Sequence, residues 1–378
     1  TQGVSSAASD VYKRQLSSCT ILMPIPPLLR RASSTKTATP ESGRKRINLA
    51  LQGGGAHGAF TWGVLDALLE DGRLEVEALT GTSAGAMNAA VFATGLAQGG
   101  PEGARKALLE FWRDVSLDGH ISPAARMLLD VVMTPWKIGA AAGQSVIEAS
   151  RNVFSPYELN PLDINPLRSV VEKHVHFKLL RETPGPHLFI AATSVHTGKL
   201  RIFNRSELTA DMLMASAALP FLFRAVDVEG APYWDGGFMG NPALFPLFNL
   251  SEVADIVLVQ INPIERSDTP DNAVDIMERV NEITFNAPLL GELRAIDFVS
   301  RMIEKGALKG THHKAIRMHR IEAQDKLNAF GTASKLKADW AFFTQLFEIG
   351  RTTAQDFLTQ HFDDLGQRAT LDLTHTIS

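Results

Sequence analysis

The chain has 378 residues, of which 45% are hydrophobic and 21% are charged. These values are typical of a folded globular protein and exclude a wholly disordered chain or an integral membrane protein. The formal net charge is −4, and residues 1–45 carry seven basic against two acidic side chains, so the remaining chain is distinctly acidic. An acidic body argues against a nucleic acid partner, because phosphate binding requires a basic surface.

The first 45 residues show no periodic apolar pattern and are rich in Ser, Thr, Pro and basic residues. We expect residues 1–45 to be a disordered or non-native segment. The apolar run at 21–29 is far shorter than the ~20 residues of a membrane span and contains three prolines. No export signal is visible, and the single cysteine, Cys19, excludes an internal disulfide. A cytoplasmic protein is therefore expected.

The folded part is predicted to begin with alternating strands and helices. Ile47–Leu51 is a short apolar run that ends in glycines, and Ala59–Glu70 has apolar residues at helical spacing. Val76–Thr80 predicts a second strand, and Ala84–Leu96 predicts an Ala-rich helix. The order strand, helix, strand, helix indicates a parallel sheet covered by helices.

Further elements continue this α/β pattern. A helix is predicted at 102–115 and a shorter one at 211–218, and strands are predicted at 188–193, 199–203, 226–234 (a hairpin) and 256–261. Helical patterns dominate afterwards, at 274–285, 293–303 and 335–357. We therefore predict one α/β domain at 46–378, with a core at 46–263 and a helical C-terminal part at 264–378.

A possible nucleophile stands between the second strand and its helix. The pentapeptide 81–85 fits G-x-S-x-G and places Ser83 at a strand-to-helix turn, with its hydroxyl clear of the sheet. A five-residue motif with only three fixed positions often occurs by chance. Serine is also a good helix N-cap, so Ser83 could have a purely structural role. The pentapeptide gains weight from its place between a predicted strand and a predicted helix.

A glycine-rich loop follows the first strand, with four glycines among residues 53–58. Successive N–H groups in such a loop converge on negative charge, either a bound phosphate or a developing oxyanion. The loop also fits G-x-G-x-x-G, and Glu75 or Glu77 follows at the distance of a ribose-binding acid. A dinucleotide-binding protein is therefore one alternative, although its second strand would end in the acid, whereas here it ends in Thr80.

A third loop supplies a carboxylate. Asp235 is followed by Gly236 and Gly237 directly after a predicted strand. An Asp followed by two glycines is commonly only a turn. Together with the other two loops, however, it provides the base that a serine hydroxyl needs to become a nucleophile.

The three loops, in this order, resemble the three sequence blocks of the patatin-like phospholipase family. Two further segments are similar, at 215–221 and at Asn241-Pro242. The resemblance covers about residues 47–263 and only loosely the C-terminal helices. It implies a three-layer α/β sandwich, with a mostly parallel central sheet flanked by helices.

The resemblance also implies the chemistry, a hydrolysis of lipid carboxylic esters through an acyl-enzyme, without metal or cofactor. Ser83 would be the nucleophile and Asp235 the base of a two-residue dyad. The oxyanion hole would comprise Gly53, Gly54, Gly55, Ala56 and Gly58. The nucleophile turn would be completed by Gly81, Thr82, Ala84 and Gly85, and the Asp-Gly-Gly turn by Gly236 and Gly237.

One position departs from the family. His57 stands where the family usually has Arg or Lys, so a titratable charge is expected there instead of a permanent one. A lipid ester is the implied substrate, reached by peripheral contact with a membrane. The apolar stretch 121–142 could be core packing, a wall of an acyl-chain pocket or a membrane-facing lid.

A second enzymatic alternative is an α/β-hydrolase with a Ser-Asp-His triad. The chain order could be completed by a histidine at 312, 313, 319, 361 or 375, but none lies in a recognisable loop motif. In that fold the nucleophile lies much further along the chain from its oxyanion loop than the 30 residues between 53 and 83. No metal-ligand spacing is visible.

Overall fold

A computed structural model describes residues 43–116, 157, 163, 165–220, 222–266, 269–308, 313–330, 334–335 and 337–377. The predicted segment 1–45, apart from its last three residues, lies outside this part of the chain, as does the stretch 121–142. Residues 42–378 form one compact unit.

The centre of the molecule is an eight-stranded, mostly parallel sheet. In spatial order it runs β5-β6-β3-β2-β1-β7-β8, and β4 also pairs with β3. The five strands from β3 to β8 in this order are mutually parallel, whereas β4, β5 and β6 form antiparallel pairs. The strands are β1 (Lys45–Leu51), β2 (Leu74–Gly81), β3 (His187–Ser194), β4 (Leu200–Asn204), β5 (Val226–Val228), β6 (Ala231–Asp235), β7 (Asp255–Gln260) and β8 (Arg317–Glu322).

Helices connect these strands and cover both faces of the sheet. They are α1 (Gly58–Asp71), α2 (Ala84–Val115), α3 (Pro166–His174), α4 (Phe177–Glu182), α5 (Ala210–Ser216), α6 (Phe245–Leu250), α7 (Ala273–Glu304), α8 (Gln324–Asn328), α9 (Trp340–His361) and α10 (Leu373–Ile377). Short 3-10 turns at Gly55–His57 and Gly236–Phe238 lie at the ends of β1 and β6.

Two hydrophobic clusters lie on opposite faces of the sheet, because successive side chains of a strand point in opposite directions. Leu49 and Leu51 of β1 belong to the cluster that packs on α1, α2 and α9, whereas Ala50 belongs to the cluster under α6 and α7. In β7, Val257 belongs to the first of these clusters and Ile256 to the second. The result is three layers, as predicted, with helices on both sides of a mostly parallel sheet.

The helices α1 and α9 are packed unusually closely. A Cβ added to Gly63 on α1 would overlap the carbonyl oxygen of Phe347, and one added to Gly350 on α9 would overlap that of Phe60. The buried carboxylate of Asp66 on α1 accepts hydrogen bonds from Arg105 and Arg351, which lie on α2 and α9. The late helix α9 therefore packs in one layer with α1 and α2.

Most predicted elements are present, with shifted bounds. The two helices predicted at 84–96 and 102–115 correspond to α2, which has non-helical backbone angles at Gly99 and Gly100. The helices predicted at 274–285 and 293–303 form one continuous helix, α7. Strand β8 lies inside the C-terminal part that was predicted to be helical. No helix among the described residues is long and apolar enough to cross a membrane.

Candidate active site

Ser83 occupies a tight turn between β2 and α2. Gly81 ends the strand, Thr82 and Ser83 form the turn, and Ala84 and Gly85 begin the helix. Ser83 has φ 53° and ψ −122°, a backbone conformation that residues other than glycine rarely adopt. Such strain points to a functional constraint, since an unstrained turn would serve a purely structural connection.

The surrounding backbone holds this turn in place. The N–H of Ser83 donates to Ser216 Oγ at 3.0 Å, and Thr82 Oγ1 donates to the carbonyl of Gly240 at 2.6 Å. Gly85 packs so closely on the carbonyl of Leu51 that no Cβ would fit. Ser216 was not among the predicted site residues, because its role depends on the packing of α5 against the turn.

Asp235 is the last residue of β6 and is 1% exposed. Its Oδ1 accepts a hydrogen bond from the N–H of Gly237 at 2.7 Å, and Gly236 packs on Ala191 of β3. Its Oδ2 is buried and makes no aligned hydrogen bond to any described residue. The Ser83 hydroxyl is nevertheless close enough to influence this carboxyl, because its hydrogen bonding lowers the pKa of Asp235. The two side chains thus lie within interaction distance of each other.

Burial controls the protonation of Asp235. It raises the pKa of this carboxyl to about 7, and the Gly237 N–H and the Ser83 hydroxyl only partly offset it by stabilising the charged form. A carboxylate with a pKa near neutrality is a much stronger base than an exposed one. It can therefore accept a proton near pH 7.

The glycine-rich loop lies directly beside the serine. A Cβ on Gly53 would lie 2.7 Å from Ser83 Cβ, so only glycine permits this approach. The N–H groups of Gly54, Gly55 and Ala56 have no hydrogen-bond acceptor among the described residues. They are therefore available to an oxyanion.

Two of the predicted oxyanion residues do not supply donors. The N–H of Gly53 donates to Asn241 Oδ1 at 2.7 Å, and the N–H of Gly58 donates to backbone carbonyls within the 3-10 turn. Gly53 and Gly58 were expected in the oxyanion hole, but their N–H groups are used elsewhere. They shape the loop, Gly53 by its approach to Ser83 and Gly58 by packing on Ala84.

A buried network of amide side chains holds the start of this loop. Gln52 Oε1 accepts from the N–H groups of Ile261 and Asn262, both at 2.9 Å. Asn262 Nδ2 donates to the carbonyl of Gly53 at 2.6 Å, opposite the bond from Gly53 to Asn241. Gln52 and Asn262 were missed by the sequence analysis, although both directly follow strands that were predicted.

His57 differs from its predicted role. It is buried in the 3-10 turn, and burial followed by the charge of Lys335 lowers its pKa to about 3. The imidazole is therefore neutral near pH 7 and supplies no titratable charge in the physiological range, contrary to expectation. Its Nε2 forms a 2.7 Å hydrogen bond with Ser334 Oγ. Sequence alone could not show this burial.

A cavity of about 240 Å³ opens beside Ser83. Gly55 and Ala56 of the glycine loop form part of its wall, and Lys335 and Lys337 supply its charged lining residues. The rest is apolar, with side chains from α2, α3, α9 and the segment after α5, namely Met87, Phe111, Trp112, Val115, Leu167, Val170, Leu219, Leu222 and Phe343. A nucleophile at the wall of an apolar cavity suits a substrate with a hydrocarbon chain.

The alternatives find little support in the described part of the chain. No histidine in it is hydrogen-bonded to Ser83 or Asp235, and His319 instead pairs with Asp255 and Thr370. Glu77 forms an ion pair with Arg46 and accepts a hydrogen bond from Ser251, so it is not presented to a ribose. No group of three His, Cys, Asp or Glu in the described residues could hold a metal ion.

Comparison with known proteins identifies the family. Residues 49–248, just over half of the chain, match the family model described as patatin-like phospholipase. No curated protein sequence is significantly similar to the chain.

Solved structures give only distant likenesses. VipD from Legionella pneumophila is 14% identical, with a TM-score of 0.38 over 88% of this chain and 73% of VipD. The complex of ExoU and SpcU from the type III secretion system of Pseudomonas aeruginosa contains a chain that is 16% identical, with a TM-score of 0.28 over 89% of this chain and 65% of that one. The match to the family model carries the assignment. The chain belongs to the patatin-like phospholipase family, and this membership supports a lipid acyl hydrolase activity.

Proposed function

We propose that the protein hydrolyses carboxylic esters of lipids through a covalent acyl-enzyme on Ser83, with Asp235 as the general base. The observation that carries the proposal is the position of the Ser83 hydroxyl. It lies beside a buried carboxyl of raised pKa and at the wall of an apolar cavity that Gly55 and Ala56 also line.

In the first step Asp235 accepts the hydroxyl proton as Ser83 Oγ bonds to the ester carbonyl carbon. The negative charge on the carbonyl oxygen is stabilised by the N–H groups of Gly54, Gly55 and Ala56. The tetrahedral intermediate collapses, the bond to the alcohol breaks, and protonated Asp235 returns the proton to the leaving oxygen. An acyl group remains on Ser83.

In the second step water replaces the alcohol. Asp235 takes one proton from the water while the water oxygen attacks the acyl carbon. Asp235 then returns that proton to Ser83 Oγ when the intermediate collapses. A fatty acid is released and the enzyme is restored. The cavity beside Ser83 would hold the hydrocarbon part of the acyl chain.

Labelling with a fluorophosphonate tests the nucleophile. The wild-type protein should be labelled at one site, and Ser83→Ala should abolish both labelling and lipid ester hydrolysis. Asp235→Asn should remove nearly all hydrolysis, because the serine then lacks its base. Labelling that survives Ser83→Ala would refute the assignment.

Replacement of a histidine separates the dyad from a triad. His375 is exposed, so His375→Ala should leave hydrolysis near the wild-type rate, as should His313→Ala. In a triad enzyme one such change would cost several orders of magnitude. His319 is unsuitable for this comparison because it is fully buried and its loss would destabilise the fold.

A further inference from the structure

The glycine loop at 53–58 is held from a distant part of the chain. Ser334 and Lys335, here named the 334–335 clamp, lie beyond the region 49–248 that matches the family model. Ser334 Oγ bonds to His57 at the end of the 3-10 turn, at 2.7 Å. The carbonyl oxygen of Lys335 packs against Gly55, so closely that a Cβ at Gly55 would overlap it.

The side chain of Lys335 reaches the other end of the same loop through one intermediate residue. Its Nζ donates to Asn262 Oδ1 at 3.0 Å. Because an ammonium can only donate, this bond fixes the amide of Asn262 with its Nδ2 towards the loop. That Nδ2 donates to the carbonyl of Gly53 at 2.6 Å. The clamp thus acts on the first, middle and last parts of the loop.

The charge of Lys335 also acts on the glycine loop. Lys335 lies within 3.5 Å of the buried carboxylate of Glu282, which is bound more closely by Arg266 and Arg279. The charge of Lys335 is felt at His57, where it opposes protonation of the imidazole. A positive charge that affects His57 would also favour negative charge that develops at the same loop.

We propose that Lys335 is a positioning residue for catalysis, which holds the oxyanion loop through Asn262 and places a positive charge beside it. This inference rests on the proposed function, since it assumes that the loop stabilises an oxyanion. It makes residues 334–335 a part of the proposed active site instead of a structural appendage.

The test compares Lys335→Met with Lys326→Met, which removes an exposed lysine from α8 in the same part of the chain. We expect Lys335→Met to lower kcat about 10- to 100-fold with KM changed less than about twofold, because a shift of ~1 Å in a catalytic group can cost 10²-fold. The rate of fluorophosphonate labelling should fall in step with kcat, since its phosphoryl oxygen occupies the same hole. Lys335→Arg, which keeps the charge and a donor, should restore most of both rates.

A second variant isolates the route through Asn262. Asn262→Asp keeps an acceptor for Lys335 but removes the donor to Gly53, so it should lower kcat in the same way. It carries the test if Lys335→Met does not fold. Values of kcat and labelling rate for Lys335→Met or, in that case, Asn262→Asp equal to those of Lys326→Met would overturn the proposal. A wild-type protein that is not labelled at Ser83 would instead refute the proposed function itself.

Discussion

Burial of Asp235, the proposed general base, should lower the stability of the folded protein. Its carboxyl is buried, and Oδ2 has no aligned partner among the described residues, so the charged form is costly in the folded protein. Asp235→Asn keeps an oxygen to accept from Gly237 and presents an uncharged amide to Ser83. We therefore expect this variant to melt several degrees above the wild type, while being inactive.

The stability gain of Asp235→Asn should depend on pH in a defined direction. The pKa of Asp235 is raised from 3.8 to about 7, so the folded protein holds a proton that the unfolded chain releases between these values. The contribution of Asp235 to the stability of the wild type is complete below pH 3.8. It is lost as the pH rises through about 7. Melting curves should show the difference between variant and wild type widening from about pH 4 to about pH 7, then staying constant. A constant difference from pH 4 to 8 would contradict the raised pKa.

The same pKa predicts the pH dependence of catalysis. Because Asp235 must be deprotonated to act as a base, kcat/KM should rise with pH through about 7 and then level off. His57 stays neutral across this range, so His57→Gln should not move the ascending limb. Initial rates on a soluble ester between pH 5 and 9 would measure this. A limb that moves with His57→Gln would show that the histidine titrates after all.

At the scale of elements, helix α3 forms one wall of the cavity. Val170 lines the cavity, whereas Ser169 on the same helix is exposed. Val170→Trp should reduce hydrolysis of long-chain esters about tenfold relative to an acetyl ester, because added bulk shortens the space for the chain. Ser169→Trp is the control, because it adds a tryptophan to the same helix outside the cavity. Equal loss on long and short esters would show that the cavity does not hold the acyl chain.

Strands with a strong apolar pattern were predicted well, whereas the polar strand β8 was not predicted. β3 and β7 are mostly apolar and β1 ends in a mostly apolar run, and all three were predicted close to their observed bounds. β2 begins with a segment that contains two glutamates, and it was predicted only from residue 76. β8 was missed because it lies at the edge of the sheet and its six residues include two arginines, a histidine and a glutamate. Its His319 is buried only because Asp255 and Thr370 satisfy the ring nitrogens, a pairing that needs the folded chain.

For the whole molecule, we propose that residues 46–378 fold as one unit and that the predicted core at 46–263 is not independent. α9 packs closely on α1 through Gly63 and Gly350, and β8 extends the sheet beside β7. Lys45, at the start of β1, donates to backbone carbonyls at the end of α9. The sequence placed this lysine in the segment outside the domain.

Truncation at each end of the chain tests whether that end is needed for folding. A chain that begins at Gly43 keeps Lys45 and should retain the melting temperature and the labelling rate of the full chain. A chain that ends at residue 263 lacks α9 and the 334–335 clamp, and should show no cooperative unfolding transition and no labelling. Labelling of the shorter chain at the full rate would mean that the C-terminal part is dispensable.

The proposed catalytic pair could be predicted from local sequence, whereas the residues that support the glycine-rich loop could not. Ser83 and Asp235 each lie in a glycine-containing turn that sequence motifs describe. The residues that hold the loop come from 241, 262 and 334–335, and their distance from it in sequence hides their role. Local sequence likewise does not show that the N–H of Gly53 is occupied by a side chain 188 residues away.

The two asparagines that hold Gly53 share a chemical protection. Asn241 is followed by Pro242 and Asn262 by Pro263. Spontaneous deamidation of asparagine proceeds when the next backbone nitrogen attacks the side-chain amide and closes a succinimide ring. Proline has no N–H to give up in that attack, so this route is closed at both positions. The two side chains that hold the glycine-rich loop are thereby shielded from one of the commonest forms of chemical ageing in proteins.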